Sequence, residues 1–258
     1  MTLDAPDLGS PHVEAHVAAR VLHLRINRPA KRNSFTQDMY RAIKRAAVWA
    51  DRETELDAVC LTGTDEWFGA GGDLGRRTTD ATGVEEEWDG MDHFPFRHIE
   101  RCRKIWVAKV NGVCHAGGVD LCMYCDVTIA SDRARFRVPE LLRGLPDPML
   151  AARLVDTVGL ARARFMIFTA AELTAAEAFA IGLVGCVVPH AELDSKVEWA
   201  LDQIKATGPG ARAVLKRAIN GALAPADMTL FAQIPSEEMM EGMASFIERR
   251  QPKWRSDT

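Results

Sequence analysis

The chain has no run approaching the roughly 20 consecutive apolar residues of a membrane span, so no transmembrane helix is expected among its 258 residues. It lacks a strong charge of either sign: 32 Lys and Arg stand against 36 Asp and Glu, a formal net charge of −4. No global field therefore draws in nucleic acid or an anionic membrane, and an anionic ligand has to be held by local basic groups. The opening residues MTLDAPDLGSPHVEAH have neither a basic start nor an apolar run, so they do not read as a signal peptide and a cytoplasmic protein is expected. Paired metal-ligand spacing is missing as well. Cys122 and Cys125 form a C-x-x-C, but no second pair follows, and Cys114-His115 completes no ligand set, so no metal is expected. The other cysteines, Cys60, Cys102 and Cys186, lie mostly in apolar segments where a thiol behaves as a small buried hydrophobe.

What is present is the composition of an ordinary globular protein, 47% apolar and 26% charged. The length allows one large domain, or a domain with an appendage, and a sizeable core. Residues 1–16 read as a loose leader. ARVLHLRIN (19–27) alternates as a strand and is stopped by Arg28-Pro29. Thr36 is placed to cap a helix reaching about Arg52, with Met39, Ile43, Ala46, Ala47 and Ala50 on one face. LDAVCLT (56–62) is a buried strand, followed closely by the glycine-rich WFGAGGDL (67–74). A weak helix is expected over 91–104, interrupted at its start by Phe94-Pro95-Phe96, and a strand over 126–130. Asp147-Pro148 is a helix-start signal, and Thr174 with Glu177 matches a capping box. After a last strand at 183–188 only helices are expected, which sets a core over 17–190 apart from a helical region over 191–258.

The chain is organised around Ala108 to Ser131, AKVNGVCHAGGVDLCMYCDVTIAS. An apolar strand, 105–110, leads into Gly117-Gly118, with Asp120 three residues after the first glycine. Glycines after a strand let backbone N–H groups meet a ligand without obstruction. If Gly117 opens a helix, those donors are unpaired and lie at its positive end, as an oxyanion hole requires. The plainer reading is a tight turn with a first-turn acid. A strand, a glycine-rich turn and a helix occur twice, after Thr62 and after Val110, which suggests repeating β-β-α layers without a strict period.

Five segments together resemble the crotonase (enoyl-CoA hydratase/isomerase) superfamily: INRPAKRNSF (26–35), LTGTDEWFGAGGDL (61–74), VAKVNGVCHAGGVDL (107–121), CDVTIASDRARFRVPELLRGLP (125–146) and EGMASFIERRQPKW (241–254). The resemblance implies an α/β fold, a spiral of β-β-α turns with a C-terminal helical trimerisation region. It implies homotrimers, often paired into hexamers, and an acyl-CoA thioester as substrate. It implies no separate cofactor, since coenzyme A is part of the substrate. Each glycine-rich loop would give one N–H to the thioester oxygen, from Gly72 and Gly117. One such donor can be worth roughly 3 kcal/mol in the transition state. For CoA binding the resemblance points to Lys31 and Arg32, to the backbone around Ser34 and Ala70 and to Asp73 and Leu74, with Arg76, Arg77 and Lys253 as weaker candidates.

Hydratases of the superfamily carry two glutamates; the matching positions here are Asp120 and Glu140. Asp120 keeps the carboxylate on a side chain one methylene shorter, a gap that an intervening water can span. Both acids, near paired N–H donors in an apolar pocket, should have raised pKa values. The pattern also resembles dienoyl-CoA isomerases, which use a third acid. That acid would be Asp147, set one residue closer than in those enzymes, and its plainer role is the helix N-cap. His115 stands where relatives have an apolar residue; it could contact a polar acyl group or be an ordinary buried histidine. Trp88, Met91, Phe94 and Phe96 are expected to line the acyl pocket. Hydration of a 2-enoyl-CoA is the leading expectation. The alternatives are double-bond isomerisation through Asp120, Glu140 and Asp147, a CoA-dependent hydrolase, and a CoA-thioester binder without chemistry.

Overall fold

The computed structural model of the chain describes residues 3–64, 66–74, 92–221 and 236–250. Trp88, Met91, Arg76, Arg77 and Lys253 lie outside the described residues. The elements in chain order are β1 (Val13–Ala18), β2 (Val21–Ile26), α1 (Gln37–Arg52), β3 (Ala58–Thr62), β4 (Trp67–Gly69), α2 (Phe96–Arg101), β5 (Ile105–Val110), β6 (Val113–His115), α3 (Gly117–Tyr124), β7 (Val127–Ser131) and β8 (Arg135–Arg137). They continue with α4 (Pro148–Val158), α5 (Leu160–Thr169), β9 (Leu173–Thr174), α6 (Ala175–Ala180), β10 (Cys186–Val188), α7 (Leu193–Lys205), α8 (Pro209–Gly221) and α9 (Ser236–Ile247). Short 3-10 turns lie at Pro29–Lys31 and Glu140–Arg143.

Long and short strands go to different sheets. The first sheet has the order β1-β2-β3-β5-β7-β10 and the second β4-β6-β8-β9. From β2 onward the first sheet is parallel, with β1 antiparallel on its edge. Each pass of the chain lays a longer strand in the first sheet, turns, and lays a shorter one in the second: β3 then β4, β5 then β6, β7 then β8. The β-β-α layering expected from the glycine-rich turns is this winding. Central parallel strands are buried on both faces, which is why IWVAKV of β5 is nearly continuous apolar sequence. One face of the first sheet packs against α1, where Met39, Ile43, Ala46, Ala47 and Ala50 are all fully buried, as their spacing requires. The other face carries α7 through Leu193, Val197, Ala200 and Leu201.

Three local expectations are corrected. The leader is docked over its described residues: Val13, Ala15 and Val17 alternate along β1, and Ala19 and Arg20, with φ of 48° and 65°, form a two-residue turn into β2. Leu8 is buried, its carbonyl accepting from Arg45 Nη1 at 2.7 Å. Thr36 occupies the N-cap position of α1 without capping, since its hydroxyl bonds Asp38 instead. The weak helix over 91–104 is confined to α2, because Pro95 and its neighbours delay its start. Asp147 caps α4, accepting from Leu150 N at 2.9 Å, and Thr174 and Glu177 form the capping box of α6.

The helical region is tied to the sheet by buried charge. Arg212 on α8 pairs with Asp57, and Lys216 Nζ meets Asp126 Oδ2 at 2.7 Å and the Lys104 carbonyl at 2.9 Å. Among the described residues no helix is long and apolar enough to cross a membrane. Removing one partner of a buried pair leaves the other charge uncompensated. Lys216→Met is therefore expected to cost roughly 3 kcal/mol in urea unfolding; an unchanged midpoint would show that α8 is held by other contacts.

Candidate active site

The two glycine-rich segments meet where β4 ends and α3 begins. Gly71 has φ of 92°, a backbone conformation open to glycine, and any Cβ there would overlap that of Ala116. A Cβ on Gly118 would lie 2.7 Å from the Gly69 carbonyl oxygen. A Cβ on Gly117 would overlap the Tyr40 hydroxyl. Gly72 faces open space. Gly117 is the first residue of α3 and its N–H is one of the unpaired donors of a helix start. Among the described residues neither the Gly72 nor the Gly117 N–H donates to a protein acceptor outside regular helix and strand pairing. Ala116 holds φ 54° and ψ −128°, an unfavourable conformation for a residue with a Cβ, directly before the Gly117 N–H.

The earlier segment is braced from the first turn of the chain. Arg28 Nη1 donates to Asp73 Oδ2 at 2.6 Å and to Ser34 Oγ at 2.9 Å, and Asn33 Nδ2 donates to the Trp67 carbonyl at 2.7 Å. Phe35 N donates to the Gly71 carbonyl, and Asp73 N to the Phe35 carbonyl, both at 2.8 Å. These bonds straddle Gly72 and leave its own N–H unused.

Three acids converge on this place. Asp120, one turn into α3, is 1% exposed, and its Oδ1 has no hydrogen-bond partner. Burial pushes its pKa well above the carboxylate range, with further increments from the charges of Asp147 and Glu140. Glu140 heads its own 3-10 turn, with Oε2 buried and unpartnered. Burial pushes it up to about 7, against the lowering effects of its own backbone N–H and of Arg143. Asp147 is raised by burial too, but its carboxylate accepts backbone N–H groups of α4. A buried carboxyl pair with paired N–H donors nearby is able to move protons while stabilising an oxyanion.

Residues 16–257 match the family model described as Enoyl-CoA hydratase/isomerase. A short-chain-enoyl-CoA hydratase of Clostridium acetobutylicum is 32% identical over 241 residues, 90% of this chain and 92% of that protein. A crotonyl-CoA hydratase of Syntrophomonas wolfei is 32% identical over 237 residues, covering 88% of this chain and 91% of its own. The chain belongs to the enoyl-CoA hydratase/isomerase family, within the crotonase superfamily. A solved enoyl-CoA hydratase/isomerase from Pseudoalteromonas atlantica superposes with a TM-score of 0.81 at 28% identity, covering 93% of this chain and 98% of that one.

Within this family fold, the expected site residues divide. Gly72, Gly117, Asp120, Glu140 and Asp147 come together. Phe94 lies by the same site, its ring 5.0 Å from that of Tyr40. Lys31 and Arg32 are exposed on the first turn, with Arg32 over the Trp67 ring at 5.4 Å. Ala70 and Leu74 flank the glycines and are half-buried. Ser34, whose backbone is expected near CoA, and Asp73 both accept from Arg28 Nη1 through their side chains. His115, expected in the acyl pocket, has its Nε2 3.1 Å from Glu172 Oε2 and its ring edge-on to Trp67. In the alternation of β6, Cys114 is fully buried and His115 faces the other way from it.

Two contributors escaped the sequence. Tyr40 shares the buried stripe of Ile43 and Ala47 and reads as core. Gly242 on α9 packs so closely on the Glu140–Arg143 turn that a Cβ there would overlap the Arg143 carbonyl oxygen. Arg143 also stacks on Phe246 at 4.3 Å, so α9 buttresses the turn carrying Glu140. Gly242→Ala is expected to displace that turn and lower kcat about tenfold or more with the fold retained by circular dichroism; an unaltered rate would show that the turn is held without α9.

The raised Glu140 also sets a pH dependence of stability. Its proton is bound more tightly in the folded state, about 7, than at the ordinary value of 4.5, so stability from this group is full below 4.5 and is lost as pH rises toward 7. Glu140→Gln removes that loss. The variant should melt higher than the wild type at pH 8, and the gap should shrink toward pH 5. A gap that widens on acidification would contradict the assignment.

Proposed function

We propose that the protein hydrates a 2-enoyl-CoA to a 3-hydroxyacyl-CoA. The observation that carries this is the conjunction of two unpartnered carboxyl oxygens, on Asp120 and Glu140, with N–H groups at Gly72 and Gly117 that meet no loop or turn acceptor among the described residues. The hydratases among its relatives support the same reaction, as does the chain's family.

The thioester oxygen accepts from the Gly72 and Gly117 N–H groups. Water forms a bond to C3 and gives its proton to one carboxylate of the pair. The C2=C3 electron pair shifts toward the thioester, and the charge that develops on its oxygen is met by the two donors. The other carboxyl delivers a proton to C2, giving the 3-hydroxyacyl product and completing the balance. Burial raises both Asp120 and Glu140, with a smaller increment at Asp120 from the charge of Glu140, so the pair retains a proton near neutrality, as this exchange needs. Lys31 and Arg32 offer positive charge to the phosphates of CoA. Assembly into trimers or hexamers is part of the proposal. It fits the exposed Phe165 and Phe168 on α5 and Phe179 on α6, large apolar side chains that a monomer leaves in water.

Crotonyl-CoA loses its conjugated absorbance on hydration, which gives the assay. Glu140→Gln and Asp120→Asn should each lower kcat by about a hundredfold or more. Asp147→Asn keeps a competent N-cap and should stay within about threefold of the wild type. Turnover of a 3,5-dienoyl-CoA alone, abolished in Asp147→Asn, would overturn hydration in favour of isomerisation.

A further inference from the structure

Tyr40 is one of the chain's two tyrosines. It is 5% exposed, on the second turn of α1. Its ring is held by four others: stacked on Phe35 at 5.1 Å, edge-on to Phe94 at 5.0 Å and to Phe96 at 6.1 Å, and tilted against His93 at 5.8 Å. Ring packing of this kind fixes where the hydroxyl points. It points at Gly117, so closely that only a residue without a Cβ can occupy that position. Asp120 follows on the next turn of α3, on the same side as Gly117. The charge on Asp120 is the first felt at the phenol, followed by those of Asp147 and Glu140, and burial together with these charges keeps Tyr40 protonated. A neutral phenol is a hydrogen-bond donor.

Asp120 carries the shorter of the two acidic side chains, and its Oδ1 has no protein partner. A water that only donates to the carboxylate of the pair has its lone pairs undirected. A donor from a third side occupies one lone pair and leaves the other to attack. We propose that Tyr40 is a catalytic residue of the hydration: its hydroxyl donates to the reacting water, held between Gly117 and Asp120, and so compensates for the short Asp120 side chain. The proton that leaves water still goes to the carboxylate pair, and Tyr40 neither gains nor loses one. This inference rests on the hydratase reading.

The test is a two-by-two set on crotonyl-CoA, comprising the wild type, Tyr40→Phe, Asp120→Glu and the double variant. Tyr40→Phe keeps the ring and its packing, so melting temperature and KM should stay near wild type while kcat falls roughly tenfold or more, the worth of a hydrogen bond at a charged site. In the Asp120→Glu background, where the longer acid reaches the water itself, the same change should cost less than about threefold. Should Asp120→Glu fail to fold, the split between unchanged KM and lowered kcat in Tyr40→Phe decides alone. An undiminished kcat in Tyr40→Phe, or an equal loss in both backgrounds, overturns the role of Tyr40 while leaving hydration intact. Absence of hydration by the wild type overturns both.

Discussion

The close approach of the Gly69–Gly72 segment to the start of α3 is the contact on which the site depends. Backbone there lies where a side chain would otherwise be, since a Cβ on Gly71, Gly117 or Gly118 would strike Ala116, Tyr40 or Gly69. Two strands of the second sheet, β4 and β6, run parallel into this contact, and their pairing brings the segments together. The cost is visible in the strained backbone of Ala116 and in donors left without protein partners. Function then follows from what those donors face: acids buried deeply enough to keep their protons near neutrality.

The supports come from distant parts of the chain. Arg28 and Asn33 hold the first segment from the turn after β2, α1 brings Tyr40 to Gly117, and α9 presses on the turn of Glu140 through Gly242. Arg212 and Lys216 anchor α8 to Asp57 and Asp126 at the base of the sheet. Arg28, Asn33, α1 and α9 act at the glycine contact and at the turn of Glu140, whereas the α8 pairs tie the helical region to the sheet. These supports are spread widely along the sequence, as is the family match, which spans residues 16–257.

Much of the frame was legible because local chemistry and tertiary structure agree. The stripe of α1, the glycine-opened α3, the Asp147 cap and the Thr174–Glu177 box each follow from residues a few positions apart. What was hidden depends on contacts between segments far apart in sequence. His115 meets Glu172, 57 positions on. Arg28 reaches Asp73, 45 positions on. Tyr40 looked like core because it is core; only its hydroxyl has another role, and that is set by Gly117, 77 positions on. The docked leader was missed because residues 13–16 gain their order from pairing with β2.

The central claim is that one water adds across the double bond while the enolate oxygen is held by Gly72 and Gly117. Turnover of crotonyl-CoA in oxygen-18 water containing deuterium oxide, followed by mass spectrometry of the acyl-CoA, tests it most directly. Hydration predicts product with solvent oxygen at C3 and one solvent hydrogen newly bonded to carbon at C2. Solvent hydrogen entering carbon without solvent oxygen, or recovery of the substrate unlabelled, would contradict it.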